Sequence, residues 1–228
     1  SRHVEGAPNS HVAQALLPQA HVLQRDAQGL HVNMMLCLND HIEAMDGDAL
    51  QRALAFLPLW RRERALAYRH PEGQLLSALA YIELCRALAL RGERVQKPRF
   101  ECNAHGKPTL PECPGLHFSM SHCRLAVGCM VSEKPCGLDI ERIRPLKPTL
   151  VQRTMNRQEQ EQIMASVCPE MEFSSRRTRK EAVFKLLGTG ITDNLPHILC
   201  EAHERGIQFS TICNPARGYV LSTARQDR

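Results

Sequence analysis

The clearest pattern along the chain is a run from about residue 72 to residue 90 in which apolar residues recur three and four positions apart. This spacing predicts a helix that Gly92 ends. A second long helix is predicted from about 172 to 187, and it ends at Gly188. Shorter helices are predicted at 49–57, at 59–68 and in segments between 150 and 168.

Short apolar runs between turn-forming residues predict the strands. Four prolines exclude a long helix between residues 98 and 116. Residues 1–28 mix glycine, proline and polar residues without a period, so we expect this end of the chain to be irregular. The predicted strands cover 31–38, 116–121, 125–131, 137–143, 206–212 and 218–223.

The order of these elements is helices and strands, followed by helices and strands again. This order predicts an α+β protein of two similar halves, each a small antiparallel sheet packed on a long helix. We expect an N-terminal half at 1–136 and a C-terminal half at 137–228.

Composition narrows the class of protein. The hydrophobic fraction of 43% and the charged fraction of 23% are ordinary for a globular chain. Six Phe, three Tyr and one Trp are too few for the stacking platforms of single-strand nucleic-acid binders. No stretch approaches the ~18 uninterrupted apolar residues of a membrane helix, so we expect a soluble, cytoplasmic protein. The ten cysteines include no C-x-x-C pair, which favours buried reduced thiols over a zinc site or a disulfide framework.

Positive charge is concentrated in two stretches. Residues 142–185 contain ten basic and five acidic side chains, and residues 61–69 contain four arginines and one glutamate. Any anionic partner is therefore expected near these stretches. The alternative interpretation is a pair of solvated basic faces.

Two carboxylates stand two residues apart in the predicted strand Gly137-Leu-Asp-Ile-Glu. Side chains at i and i+2 of a strand share one face, so Asp139 and Glu141 converge. Adjacent carboxylates repel each other unless a cation lies between them, and Mg²⁺ prefers oxygen ligands. An exposed strand face explains the same pattern.

Two further pairs could act on a phosphate. Glu181 and Lys185 are four residues apart on one face of the second long helix, where they could supply a third carboxylate and an ammonium group. A stabilising surface ion pair is the alternative. Ser121 and His122 lie at a strand end and could both donate to a phosphate, although local turn hydrogen bonding would explain them as well.

Taken together, four segments resemble the signature of the 4′-phosphopantetheinyl transferases of the Sfp type. They are Gly-Lys-Pro at 106–108, Phe-Ser-Met-Ser-His at 118–122, Gly-Leu-Asp-Ile-Glu at 137–141 and Arg-Lys-Glu-Ala-Val-Phe-Lys-Leu-Leu-Gly-Thr-Gly at 179–190. The resemblance implies a pseudo-dimer of two α+β subdomains in one chain, with coenzyme A and Mg²⁺ held between them.

Matched residue by residue, the resemblance assigns a role to eleven side chains. The implied metal ligands are Asp139, Glu141 and Glu181, and the implied catalytic residues are Glu181, Lys185 and Asp139. The implied coenzyme-binding residues are Arg61, Arg64, Ser77, Lys107, Pro108, Ser121, His122 and Lys185. The chain departs from the family pattern at Leu76, where an arginine is common, and at Arg177, where an aromatic residue is usual.

The implied reaction is Mg²⁺-dependent transfer of the 4′-phosphopantetheine arm to a serine of an apo acyl or peptidyl carrier protein, releasing 3′,5′-ADP. An acidic recognition helix on the carrier would suit the basic residues between Arg142 and Arg157. We expect a monomer that binds neither nucleic acid nor membranes. The alternatives are a non-catalytic relative that binds coenzyme A or a nucleotide, and a nucleic-acid-binding module, which the clustered carboxylates disfavour.

Overall fold

The computed structural model of the 228-residue chain describes residues 20–25, 32–188 and 194–226. The helices are α1 (Ala49–Phe56), α2 (Leu59–Leu66), α3 (Pro71–Arg91), α4 (Pro148–Thr154), α5 (Arg157–Ala165), α6 (Pro169–Leu187) and α7 (Ile198–Glu204), with a short 3₁₀ helix at Ile42–Ala44. The strands are β1 (Ala20–Arg25), β2 (Val32–Asn39), β3 (Glu101–Cys102), β4 (Pro108–Thr109), β5 (His117–His122), β6 (Val127–Ser132), β7 (Cys136–Arg142), β8 (Ile207–Asn214) and β9 (Tyr219–Gln226).

Both long helices end where the sequence predicts. Helix α3 stops at Gly92 with a φ of 83°, and helix α6 stops at Gly188 with a φ of 65°. These left-handed conformations strain every residue that has a Cβ atom, so glycine is the residue that ends each helix. Pro71 and Pro169 occupy the first turns, where the backbone N–H has no partner within the helix.

All the described strand pairs are antiparallel. The N-terminal sheet has the order β1-β2-β6-β5, the C-terminal sheet has the order β7-β9-β8, and β3 and β4 form a two-stranded ribbon. In the C-terminal sheet Asp139 stands opposite Ser222 across β7 and β9. Because directly opposite residues share a face, Asp139 and Ser222 point to the same side of the sheet.

The two sheets pack face to face between the two long helices. On one face of β2, Cys37 packs with Leu84 of α3. On the other face of the same strand, the adjacent residue Leu36 packs with Leu138 of the C-terminal sheet. Helix α6 covers the opposite face of the C-terminal sheet. The layers therefore follow the order helix, sheet, sheet, helix, and the predicted α+β fold with a long helix on each sheet is confirmed.

The structure differs from the sequence-based expectation in two places. Strand β1 at Ala20–Arg25 lies within the segment that the sequence predicts to be irregular, and it is ordered by pairing with β2 from Ala20 and Leu38 onward. Helix α7 occupies Ile198–Glu204, where the sequence predicts no element. Residues 1–19 and 26–28 of the expected irregular segment, and Thr189 and Gly190 of the fourth signature segment, lie outside the described residues.

Helix α3 is the one helix in the described ranges whose length and composition would allow it to cross a membrane. Of its most apolar 18-residue window, 67% is buried inside the protein. Core helices of soluble proteins have the same properties, and α3 packs against the N-terminal sheet as a core helix does.

Candidate active site

Helix α6 lies directly against strand β7, and this contact sets the geometry of the site. Gly137 allows the contact, because a Cβ atom at this position would lie 1.8 Å from the carbonyl oxygen of Ala182. A larger residue would hold the helix away from the strand. Asp139 and Glu141 follow on the same face of β7, so both carboxylates face the helix that carries Glu181.

Strand β5 faces the edge of β7 that does not pair with β9, and two serines connect the strands. Ser119 Oγ accepts a hydrogen bond from the N–H of Leu138 at 3.0 Å. Ser121 Oγ accepts one from the N–H of Ile140, also at 3.0 Å. Both hydroxyls are buried. The two serines therefore fix the backbone on both sides of Asp139.

Asp139 is buried at the centre of the site. Its Oδ1 accepts hydrogen bonds from Lys185 Nζ at 2.8 Å and from Ser121 Oγ at 3.1 Å. Lys185 Nζ also donates to the carbonyl oxygen of Leu138 at 3.0 Å. The second oxygen of Asp139, Oδ2, is buried without a hydrogen-bond partner in the described part of the chain. A buried carboxylate oxygen without a partner destabilises the folded state, so a ligand that binds Oδ2 would be stabilising.

Glu141 forms an ion pair between β7 and α6. Its Oε1 lies 3.2 Å from Nε of Arg177 on α6. Burial raises the pKa of Glu141 to about 7, the Arg177 charge opposes this shift, and the charges of Asp139 and Glu181 add to it. The three carboxylates are thus close enough to repel one another.

Glu181 is the third carboxylate of the site. Burial raises the pKa of its carboxyl group, the charge of Asp139 raises it further, and Arg177 and Lys185 oppose the shift. A carboxylate with a raised pKa is a stronger base, which suits it to accept a proton from a hydroxyl group. Glu181 also lines a cavity of about 280 Å³ together with Lys107 and Pro108.

A larger cavity of about 590 Å³ opens on the other side of Lys185. Its lining combines the site residues with a basic rim and a few apolar side chains. Burial, with the charges of Lys185 and Arg61, lowers the pKa of His122, which favours the neutral imidazole, and a neutral imidazole has one N–H donor. The predicted residues in this wall are Ser121, His122, Asp139, Glu141 and Lys185, and the basic rim is formed by Arg124, Arg142, Arg144, Lys147 and Arg177.

The remaining predicted residues lie outside the wall of the larger cavity. Arg61 is buried and its guanidinium donates to Ser77, from Nη1 to Oγ at 3.1 Å and from Nη2 to the carbonyl oxygen at 2.7 Å. Arg64 is exposed one turn further along α2. Lys107 Nζ donates to the carbonyl oxygen of Leu186, near the end of α6. Arg61, Arg64 and Ser77 line neither cavity.

As the side chains lie, no group of three His, Cys, Asp or Glu residues within the described ranges is arranged to hold a metal ion. Asp139 and Glu141 are turned toward Lys185 and Arg177 instead. Their donor chemistry still fits a hard divalent cation, because both side chains offer carboxylate oxygens and Asp139 Oδ2 has no hydrogen-bond partner among the described residues.

Sequence reasoning missed the structural roles of Gly137, Ser119 and Arg177. The spacing of Ser119 two residues before Ser121 is the signal that could have identified the pair of serines, because both must share a face of the strand. Arg177 stands out in the sequence only as a departure from the family pattern. Its partner Glu141 lies on a different element, and no local pattern connects the two residues.

Comparison with known proteins finds one family and several relatives. The model of the 4′-phosphopantetheinyl transferase superfamily matches residues 135–226. The 4′-phosphopantetheinyl transferase Sfp of Bacillus subtilis is 27% identical over 160 residues, which is 68% of this chain and 71% of that protein. The transferase ffp of Bacillus subtilis is 26% identical over 68% of this chain and 70% of its own. The transferase psf-1 of Bacillus pumilus is 31% identical over 109 residues, 47% of each chain.

Proposed function

The chain belongs to the 4′-phosphopantetheinyl transferase superfamily and is a transferase, and from this premise we propose that it transfers the 4′-phosphopantetheine arm of coenzyme A to a serine hydroxyl of an apo carrier protein. Mg²⁺ is the proposed metal ion, and 3′,5′-ADP is the proposed second product.

One observation carries the proposal. Strand β7 and helix α6 bring Asp139, Glu141, Glu181 and Lys185 together beside a cavity with a basic rim. This combination suits a pyrophosphate, because cations neutralise its charge while a carboxylate accepts a proton from the attacking hydroxyl.

We propose Asp139, Glu141 and Glu181 as the residues that hold Mg²⁺. Two observations support them. Asp139 Oδ2 is buried without a hydrogen-bond partner among the described residues. The charges of Asp139 and Glu181 raise the pKa of Glu141, and the charge of Asp139 raises the pKa of Glu181. Bound there, Mg²⁺ would neutralise charge on the pyrophosphate and on the oxygen that leaves.

The chain's own residues supply the proton transfer and the positioning. The acceptor serine oxygen forms a bond to the phosphorus next to the pantetheine arm, and the bond from that phosphorus to the bridging oxygen breaks. Glu181 accepts the proton of the serine hydroxyl, which its raised pKa favours. Lys185 and His122 donate hydrogen bonds to the phosphate oxygens, and they lie on the same wall of the large cavity.

Residues on either side of the site are proposed to bind the two ends of the coenzyme. Arg61 and Ser77, joined to each other, lie close enough for the Arg61 charge to act on His122, and with Arg64 they are the proposed contacts of the 3′-phosphate. Lys107 and Pro108 line the smaller cavity beside Glu181 and are proposed to contact the coenzyme there.

The proposed protein partner is an apo acyl or peptidyl carrier protein with an acidic helix. The exposed basic side chains after β7, which include Arg144, Lys147 and Arg153, provide a complementary surface. Because one chain carries the whole constellation of residues, a monomer is the proposed functional unit.

The test is the intact mass of apo carrier proteins after incubation with the protein, coenzyme A and Mg²⁺. We expect a gain of one phosphopantetheine arm that is lost when the metal is chelated. Asp139→Asn and Glu181→Gln should each slow the transfer by at least roughly 100-fold. The matched control is Glu161→Gln, which removes a carboxylate from an exposed helix pair outside the site and should leave the rate unchanged.

Two outcomes would contradict the proposal. Transfer at the wild-type rate in the Asp139→Asn and Glu181→Gln variants would show that the chemistry lies elsewhere. Binding of coenzyme A without a mass gain on any carrier protein would identify a non-catalytic relative instead.

A further inference from the structure

Arg177 lies on the face of α6 that carries the proposed catalytic residues. Positions 177, 181 and 185 are each four residues apart, so Arg177, Glu181 and Lys185 follow one another along a single face of the helix. Arg177 also lines the large cavity, next to Glu141 and Arg144. It is therefore part of the wall that the coenzyme and the metal ion would meet.

The other arginines of this helix segment have different partners. Arg176 Nε donates to Glu172 on the preceding turn at 2.7 Å. Arg179 Nε donates to Thr211 Oγ1 of β8 at 2.7 Å. Arg177 instead reaches across to β7. Of these three arginines, it alone pairs with a carboxylate of the site.

The Arg177–Glu141 pair is close and partly shielded from water. Nε and Oε1 are 3.2 Å apart, and the side chains are 33% and 23% exposed. A carboxylate oxygen that is already paired with a guanidinium attracts a second cation less strongly, because part of its charge is neutralised. A fixed positive charge at this distance also repels a divalent ion that approaches the same carboxylate.

We propose that Arg177 competes with the divalent cation for the Glu141 carboxylate and thereby weakens binding of the ion. This inference rests on the metal site of the proposed function. When the ion takes Glu141, the guanidinium is released into a cavity whose rim also contains Arg142 and Arg144, where the phosphates of the coenzyme are its natural partners. The chain thus favours loading of the ion together with the coenzyme over loading of the ion alone.

The test measures Mn²⁺ binding to the purified protein without coenzyme, by the loss of the electron paramagnetic resonance signal of free Mn²⁺. We expect Arg177→Gln to bind Mn²⁺ roughly three- to ten-fold more tightly than the wild type, as befits a partly exposed ion pair plus the loss of a nearby charge. Arg177→Lys keeps a positive charge and should stay within about two-fold of the wild type. Asp139→Asn should abolish the binding, which locates the ion at this site.

Arg144→Gln is the matched control. Arg144 lines the same cavity and its charge acts on Glu141, but its guanidinium forms no ion pair with that carboxylate. Its removal should change Mn²⁺ affinity by less than about two-fold.

The outcomes separate the inference from the proposed function. Equal Mn²⁺ affinity in the wild type and in Arg177→Gln would overturn the competition and leave the metal site intact. An equal gain in Arg144→Gln would also overturn it, because the effect would then come from the general field of the cavity. If neither the wild type nor any variant binds Mn²⁺, both the competition and the proposed metal site are wrong.

Discussion

Replacing Lys180 by methionine should destabilise the protein more than replacing any exposed cation of the chain. Lys180 is completely buried, and its Nζ donates to Glu159 Oε2 at 2.7 Å, to the carbonyl oxygen of Thr154 at 2.8 Å and to that of Pro196 at 3.2 Å. Glu159 is buried as well, and the same Oε2 accepts the N–H of Asn156 in the capping box of α5. One ammonium group therefore joins α4, α5 and α6.

The expected cost follows from what the variant leaves behind. Lys180→Met removes the cation but keeps the buried carboxylate of Glu159, and breaking a buried pair in this way costs about 3–5 kcal/mol. The double variant Lys180→Met/Glu159→Gln removes the uncompensated charge and keeps an amide oxygen for the capping box. It should therefore be more stable than the sum of the two single variants predicts, by at least about 1 kcal/mol.

Urea unfolding at pH 7, followed by circular dichroism, measures these differences. Wild type, both single variants and the double variant form a double-mutant cycle, and the free energy of unfolding is extrapolated to zero urea for each. Arg157→Met is the control, because its ion pair with Glu161 is exposed and should contribute less than about 1 kcal/mol.

Two results would refute the reasoning. A cost below about 1 kcal/mol for Lys180→Met would mean that water or a side-chain movement compensates the Glu159 charge. Strict additivity in the cycle would mean that the two groups do not interact, whatever their separation in the structure.

Two further changes test other parts of the fold. Gly137→Ala should lower the free energy of unfolding by about 3 kcal/mol or more, or abolish transfer by separating α6 from β7, because the new Cβ atom would overlap the carbonyl oxygen of Ala182. A thermal melt compares this variant with Gly115→Ala, whose Cβ atom would contact nothing within 4 Å. Burial raises the pKa of Glu83 from 4.5 to about 7, against the opposing effect of Arg86, so the folded protein holds an extra proton between these values and loses stability as the pH rises through them. Glu83→Gln should gain about 3 kcal/mol relative to the wild type from pH 4.5 to pH 8, measured by urea unfolding, and a constant difference across this range would contradict the prediction.

The sequence predicts the long elements of the fold well because their signals are local. Apolar spacing and a terminal glycine are enough to define the ends of α3 and α6. Strand β1 could not be predicted in this way, since its order depends on pairing with β2 rather than on its own residues. Helix α7 was missed because its seven residues contain too few periods for a helical pattern to stand out.

The candidate site could be predicted as a set of residues but not as a set of contacts. The two-residue period of a strand correctly puts Asp139 and Glu141 on one face. The cations that these carboxylates meet, Lys185 and Arg177, come from α6, and the sequence contains no rule for their pairing. Arg61 illustrates the same limit, because its partner Ser77 lies on the next helix.

The edge strands β5 and β7 of the two sheets are connected through serine side chains rather than through backbone pairing. Two sheet edges that meet through backbone hydrogen bonds form a continuous ladder whose spacing is set by the backbone rather than by side chains. Here the N–H groups of Leu138 and Ile140 donate to side chains, the hydroxyl oxygens of Ser119 and Ser121. The spacing between β5 and β7 therefore depends on two short side chains, and a substitution at either serine acts on this spacing while the backbone ladders within both sheets are kept.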